Sequence, residues 1–129
     1  DPDNAQALNA LGYMLTNNSR RYKEARGYIE RALLTQPDEP AILDSYGWVL
    51  YRLGDYPLAL VQLRRAYQEF PDPEVAAHLG EVLFVQGNVK EARDVWREAL
   101  PESDDAKPNG VLVDTLRRLA PDLLPTNSL

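Results

Sequence analysis

Cysteine is absent from the 129 residues, and histidine and methionine occur once each, at His78 and Met14. Without thiols there is no disulfide and no thiolate metal site, and a lone histidine cannot assemble a histidine cluster. His78 is therefore expected to be a polar residue on the rim of a helix. No apolar run approaches the roughly 18 residues needed to cross a bilayer, so no membrane contact is expected from this segment. An excess of basic charge is missing too: 14 Lys and Arg stand against 20 Asp and Glu, a net charge of −6. Nucleic-acid binders need clustered cations to neutralise phosphates, so that class is excluded. A glycine-rich phosphate loop is absent, and Ser45 and Ser103 have no base in a recognisable arrangement. Glu102, Asp104 and Asp105 lack the spaced oxygens and turn glycine of a calcium loop, and read as a solvated stretch. No catalytic residue, metal site or cofactor is expected.

What is present is an ordinary globular composition, 44% apolar and 26% charged, of a size that fits one domain spanning 1–129. It is organised by a period. Small residues recur at Gly12, Gly47 and Gly80, at Ala25, Ala59 and Ala92, and at Ala32, Ala66 and Ala99; the spacings are 35 and 33, then 34 and 33 twice. Periods in this range are the mark of stacked repeats. Pro37 and Pro71 close the first two units. Pro2, in Asp1-Pro2-Asp3-Asn4, stands in the equivalent place, so the phrase is expected to end a further, preceding unit.

Each unit splits into two helical patterns. First helices carry Leu8, Leu11, Gly12 and Leu15, then Leu43, Tyr46, Gly47 and Leu50, then Leu79, Gly80 and Leu83. Second helices carry Ala25, Ile29 and Ala32, then Ala59, Leu63 and Ala66, then Ala92, Trp96 and Ala99. Gly54-Asp55 and Gly87-Asn88 separate the pairs, where glycine can take the left-handed backbone that ends a helix. In the first unit Asn17-Asn18-Ser19-Arg20-Arg21 replaces them and is one residue longer; asparagine can supply that backbone shape less readily than glycine. Two antiparallel helices approach closely only where a side chain is short, which accounts for the small residues. Charged pairs such as Arg26 with Glu30 and Asp94 with Arg97 fit solvated helix faces. After the third unit a polar loop, 101–110, leads to Asn109, a plausible N-cap for a last helix over 111–120 that Pro121 ends. This helix is expected to cap the third unit, and the tail, 121–129, to be loose from Leu123 onward.

Leu, Gly and Leu or Tyr in the first helix, Ala–apolar–Ala in the second and a closing Pro resemble the tetratricopeptide family. The resemblance implies an all-α superhelix of three helix-turn-helix repeats, 5–39, 40–72 and 73–100, plus the capping helix. It also implies a job of holding another protein. The wording of 44–54 (Asp44-Ser45-Tyr46-Gly47-Trp48-Val49-Leu50-Tyr51-Arg52-Leu53-Gly54) and of 73–83 is similar to the C-terminal repeats of proteobacterial outer-membrane tetratricopeptide lipoproteins. One of these is the adaptor of a periplasmic carboxyl-terminal processing protease. That likeness implies a lipid-anchored protein on the periplasmic side of the outer membrane; without it the location would be cytoplasmic.

In this family the concave surface is lined by fixed positions of the first helices. Transferred here, they are Gln6, Asn9, Ala10, Tyr13, Thr16 and Asn17; Ala41, Asp44, Ser45, Trp48, Tyr51 and Arg52; and Glu74, Ala77, His78, Glu81, Phe84 and Val85. Of these, Asn9, Tyr13, Asp44, Trp48, Tyr51, Arg52, Glu81 and Phe84 are the expected partner-binding residues. Tyr13, Trp48, Tyr51 and Phe84 would form an aromatic strip, and aromatic rings are common anchors of binding energy; the competing role for Tyr51 and Phe84 is packing between units. Asp44, Glu74 and Glu81 argue against the carboxylate clamp of chaperone-binding members and for an apolar or basic segment of a protein or peptide. Two other roles compete with the adaptor reading: a structural or oligomerising end of a longer array, and the regulatory arm of an enzyme whose catalytic domain lies upstream.

Overall fold

The periodic stretches fold as helices, several of them behind a side-chain cap or an opening proline. In the computed structural model, which describes residues 4–103 and 106–125, Asn4 caps α1 (Ala5–Asn18) by accepting the Ala7 N–H at 2.9 Å. α2 spans Tyr22–Thr35. Pro40 opens α3 (Pro40–Arg52), where the missing N–H is harmless and the fixed φ suits a helix. Asp55 caps α4 (Tyr56–Glu69) through the Leu58 N–H. Pro73 opens α5 (Pro73–Val85), α6 is Val89–Ala99, and Asn109 caps α7 (Gly110–Leu119) by accepting from both Val111 and Leu112. A 3₁₀ turn, Pro121–Leu123, follows. The described residues contain only helices and connecting segments, so the all-α expectation is met. They divide into two compact units, one ending at Phe70 with α1 to α4 and one starting at Pro71 with α5 to α7.

In the first unit α1 packs on α2, α3 on α4, and α2 on α3. A cluster of Leu8, Leu15, Ala25, Ile29, Ala32, Ile42 and Val49 forms the part of its core between α1, α2 and α3. The small residues do what their spacing suggests: a Cβ built on Gly12 would lie 2.5 Å from Ile29 Cγ1, and one on Gly47 would lie 2.5 Å from Leu63 Cγ. In the second unit Gly80 faces the fully buried Trp96 in the same way. α5 is buried at every position from Val75 to Leu83. A helix buried all round has no solvent face. His78, expected on a helix rim, is accordingly only 3% exposed.

Gly54 and Gly87 turn their pairs with φ of 92° and 91°. The first pair turns differently. Among the described residues no non-glycine has positive φ, so neither Asn17 nor Asn18 takes the left-handed shape that asparagine adopts less readily than glycine. α1 instead runs on to Asn18 and breaks at an extended Ser19, φ −154°. The Ser19 hydroxyl donates to the Leu15 carbonyl and accepts the Arg21 N–H, replacing the glycine turn with side-chain bonds.

The last helix begins one residue before its expected start. At its start the stretch expected to be loose is ordered: Leu123 ends the 3₁₀ turn, and Leu124 is 7% exposed. Residues 126–129, the opening phrase at 1–3, and Asp104 and Asp105 lie outside the described residues. No described helix is long and apolar enough to cross a membrane.

Candidate protein-binding face

Trp48, Tyr51 and Arg52 are three and four residues apart on α3, a spacing that puts them on one helix face. The first unit draws this face together. The Trp48 indole N–H donates to Asn17 Oδ1 at the end of α1, 2.9 Å away. Its ring lies 5.1 Å from that of Tyr51, which in turn lies 5.6 Å from Tyr56 at the start of α4. Arg52 donates from Nε and Nη2 to the Tyr22 hydroxyl, at 3.3 and 2.9 Å, with its guanidinium carbon 5.4 Å from that ring's centre. Trp48 and Tyr51 are half-buried and Arg52 is exposed. Asn9 and Tyr13, one turn apart on α1, are half-buried, and the Asn9 side-chain oxygen is a buried acceptor with no hydrogen-bond partner among the described residues. Rings held at fixed tilt by neighbours lose little freedom when a partner covers them, which is what an anchor requires.

Tyr22 and Tyr56 were not among the expected site residues. The signal was available: they stand 34 residues apart at the head of the second helices of the first two pairs, within reach of the C-terminal end of a first helix.

The expected acids behave differently. Asp44 is 7% exposed, so it offers little to a partner. Ser45 and Thr16 are also buried, their hydroxyls bonded back to the Ala41 and Gly12 carbonyls. In the second unit Glu81 is 5% exposed, and its carboxylate accepts from Arg118 of α7 at 2.5 Å. α7 packs on α5, and its arginine neutralises an acid that sequence position had assigned to a partner. The preference for a basic ligand thereby loses two of its three acids. Phe84 leans on Trp96, with ring centres 5.9 Å apart, so this ring is drawn to the core of its own unit.

Two further polar contacts fix local geometry. Arg93 of α6 is bonded to Asp122 of the 3₁₀ turn. This bond holds the Asp122 carboxyl below its ordinary value and pushes the Arg93 guanidinium up. The Tyr46 hydroxyl donates to Glu30 at 3.0 Å; burial first, and then that carboxylate, raise its pKa. No group of three or more described His, Asp or Glu residues could hold a metal ion.

Comparison with known proteins agrees with the helix-pair geometry. The tetratricopeptide repeat model matches residues 18–72 and 45–109, most of the chain. A TPR repeat-containing protein of Pseudomonas aeruginosa is 58% identical over 81 residues, which are 63% of this chain but 14% of the relative. The chain thus spans a small part of that protein's length. Three pairs in register, glycines at the points of closest approach, and a family match across most of the chain make one case: the chain belongs to the tetratricopeptide repeat family.

Proposed function

We propose that the chain is a protein-binding adaptor module whose first unit grips an apolar segment of its partner through Trp48 and Tyr51, with Tyr13, Asn9 and Arg52 at the edges. Tetratricopeptide repeats generally mediate protein–protein interaction. The observation that carries the finer reading is the half-exposed Trp48–Tyr51 pair, oriented by Asn17 on one side and Tyr56 on the other. An aromatic pair already fixed by its neighbours favours burial against an apolar partner side chain. Glu81 and Phe84 are left out of the gripping surface because Arg118 and Trp96 engage them.

In this reading the partner is a periplasmic carboxyl-terminal processing protease and the whole protein a lipid-anchored adaptor of the outer membrane. Support for that step comes from the sequence likeness of 44–54 and 73–83 alone. The test is calorimetric titration of a purified protease of this class with the wild-type chain and with Trp48→Ala. Binding that weakens at least about thirtyfold, the loss of a 2 kcal/mol anchor, is the expected result. Absence of binding to the wild type removes the protease; equal binding by both proteins removes Trp48.

A further inference from the structure

We infer that Asn109–Gly110, at the head of α7, is a succinimide-forming site that the docked helix holds closed, and that its isoaspartate product frees the start of that helix. The site lies wholly within the second unit, and the inference does not rest on the partner face proposed above.

Asn109 is the one asparagine of the sequence that a glycine follows. The pairing matters because the next residue's backbone nitrogen attacks the side-chain amide carbon, and a Cβ beside that nitrogen crowds the closing ring. Gly110 is exposed, and a Cβ built on it would meet nothing within 4 Å, so no neighbouring side chain crowds this point. Its N–H is not among the cap's donors: Asn109 Oδ1 accepts from Val111 and Leu112, at 2.9 and 3.1 Å. Those two bonds draw electron density from the amide carbon and would stabilise the oxyanion that attack raises on Oδ1, as donors at a helix N-terminus do. In the reaction Gly110 N bonds to Asn109 Cγ, the Cγ–Nδ2 bond breaks, and the Gly110 proton leaves with Nδ2 as ammonia. Water then opens the succinimide at either carbonyl, giving aspartate, or isoaspartate with the backbone rerouted through Cβ and Cγ.

The latch is the backbone. Ring closure needs the Gly110 nitrogen on the Cβ side of the Asn109 Cα–C bond, whereas the cap holds Asn109 extended, with φ −60° and ψ 136°. Its carbonyl meanwhile accepts the Val113 N–H at 2.9 Å, so turning ψ breaks the first turn of α7. That turn is anchored, because Leu112 and Leu116 are fully buried and Arg118 bonds to Glu81 of α5. The helix must therefore lift from α5 before the site reacts. An aspartate product restores the cap, since its carboxylate takes the same N–H groups and suits the helix N-terminus. Isoaspartate carries its carboxylate on a shorter stem and an extra carbon in the backbone, and does not. The change runs one way.

Incubation at mildly alkaline pH, followed by peptide mapping with mass spectrometry, reads the conversion of Asn109. It is compared among the wild-type chain, Arg118→Ala, Gly110→Ala and a synthetic peptide of residues 106–113. The folded chain should react at least about tenfold more slowly than the peptide, and Arg118→Ala about fivefold or more faster than the wild type. Gly110→Ala should nearly abolish the reaction. The isoaspartyl chain, separated by chromatography, should show lower amide protection over residues 112–116 than the wild type, whereas Asn109→Asp keeps it. Should Arg118→Ala fail to fold, Leu116→Val loosens the same helix and carries the same expectation. Equal rates in the folded chain and the peptide, or a rate that loosening α7 leaves unchanged, would overturn the latch. Wild-type protection in the isoaspartyl chain would overturn the release.

Discussion

Replacing Gly47 by alanine sets two effects of similar size against each other. In the interior of an exposed helix, alanine is favoured over glycine by about 1 kcal/mol. At Gly47 the new Cβ would lie 2.5 Å from Leu63 Cγ, 2.9 Å from Leu63 Cδ2 and 3.1 Å from the Ala59 carbonyl oxygen. Leu63 is fully buried and the carbonyl belongs to the α4 backbone, so neither can retreat freely. Overpacking of this kind costs roughly 1–3 kcal/mol, which leaves a net loss of about 1 kcal/mol. Gly27, in α2, supplies the control, because a Cβ there meets nothing within 4 Å. Gly27→Ala should therefore stabilise by about 1 kcal/mol. Urea unfolding followed by circular dichroism measures both. A double-mutant cycle isolates the cause: Leu63→Ala alone leaves a cavity costing about 2–5 kcal/mol, which the methyl of Gly47→Ala partly fills. The pair should then show favourable coupling of about 1–2 kcal/mol. If Gly47→Ala stabilises as much as Gly27→Ala, or the cycle is additive, close approach at Gly47 is not what that glycine is for.

Four further outcomes follow from the polar contacts. Arg118→Ala removes one partner of a carboxylate that is 5% exposed and should destabilise the second unit by about 1–3 kcal/mol. Arg65→Ala, whose ion pair with Asp38 is exposed on both sides, should change urea stability by less than about 1 kcal/mol. Asp122 has a folded pKa depressed below 3.8, so its contribution is present above that value and lost as pH falls through the folded pKa. The protection factors of the amides of residues 122–124 should thus fall on acidification below about pH 4, and Asp122→Asn should show lower protection than the wild type above that pH, the two converging as Asp122 protonates. Tyr46 titrates in the opposite sense. Its folded pKa lies above 10.0, so stability it confers is lost as pH rises through that value, and Glu30→Gln should bring its ultraviolet titration back toward 10.0.

The helix pairs were legible because glycine and alanine at fixed intervals record helix–helix distance, and that record survives in the sequence whatever surrounds it. Caps and turns were legible where one residue decides them, as at Asn109 and Gly54. Ser19 was not, because a serine that turns a chain by bonding two backbone groups looks in sequence like any polar linker residue. The site was read by carrying positions from an open groove. This located Trp48, Tyr51 and Arg52 on one helix face, but it misjudged Glu81 and His78. Their helix is buried on all sides, and the arginine that meets Glu81 lies 37 residues away on α7. A pairing at that separation has no periodic signature. Phe84 shows the same limit: nothing in its spacing shows that Trp96 takes its ring.

The adaptor reading is tested most directly by selecting peptides from a displayed library on the wild-type chain, then measuring the selected peptides by titration calorimetry against three proteins. These are the wild type, Trp48→Ala and Phe84→Ala, each checked for unchanged helicity. The account predicts that apolar peptides are enriched, that Trp48→Ala weakens them at least about thirtyfold, and that Phe84→Ala leaves their affinity within about threefold. Peptides bound equally by Trp48→Ala and the wild type, or lost with Phe84→Ala alone, would contradict it.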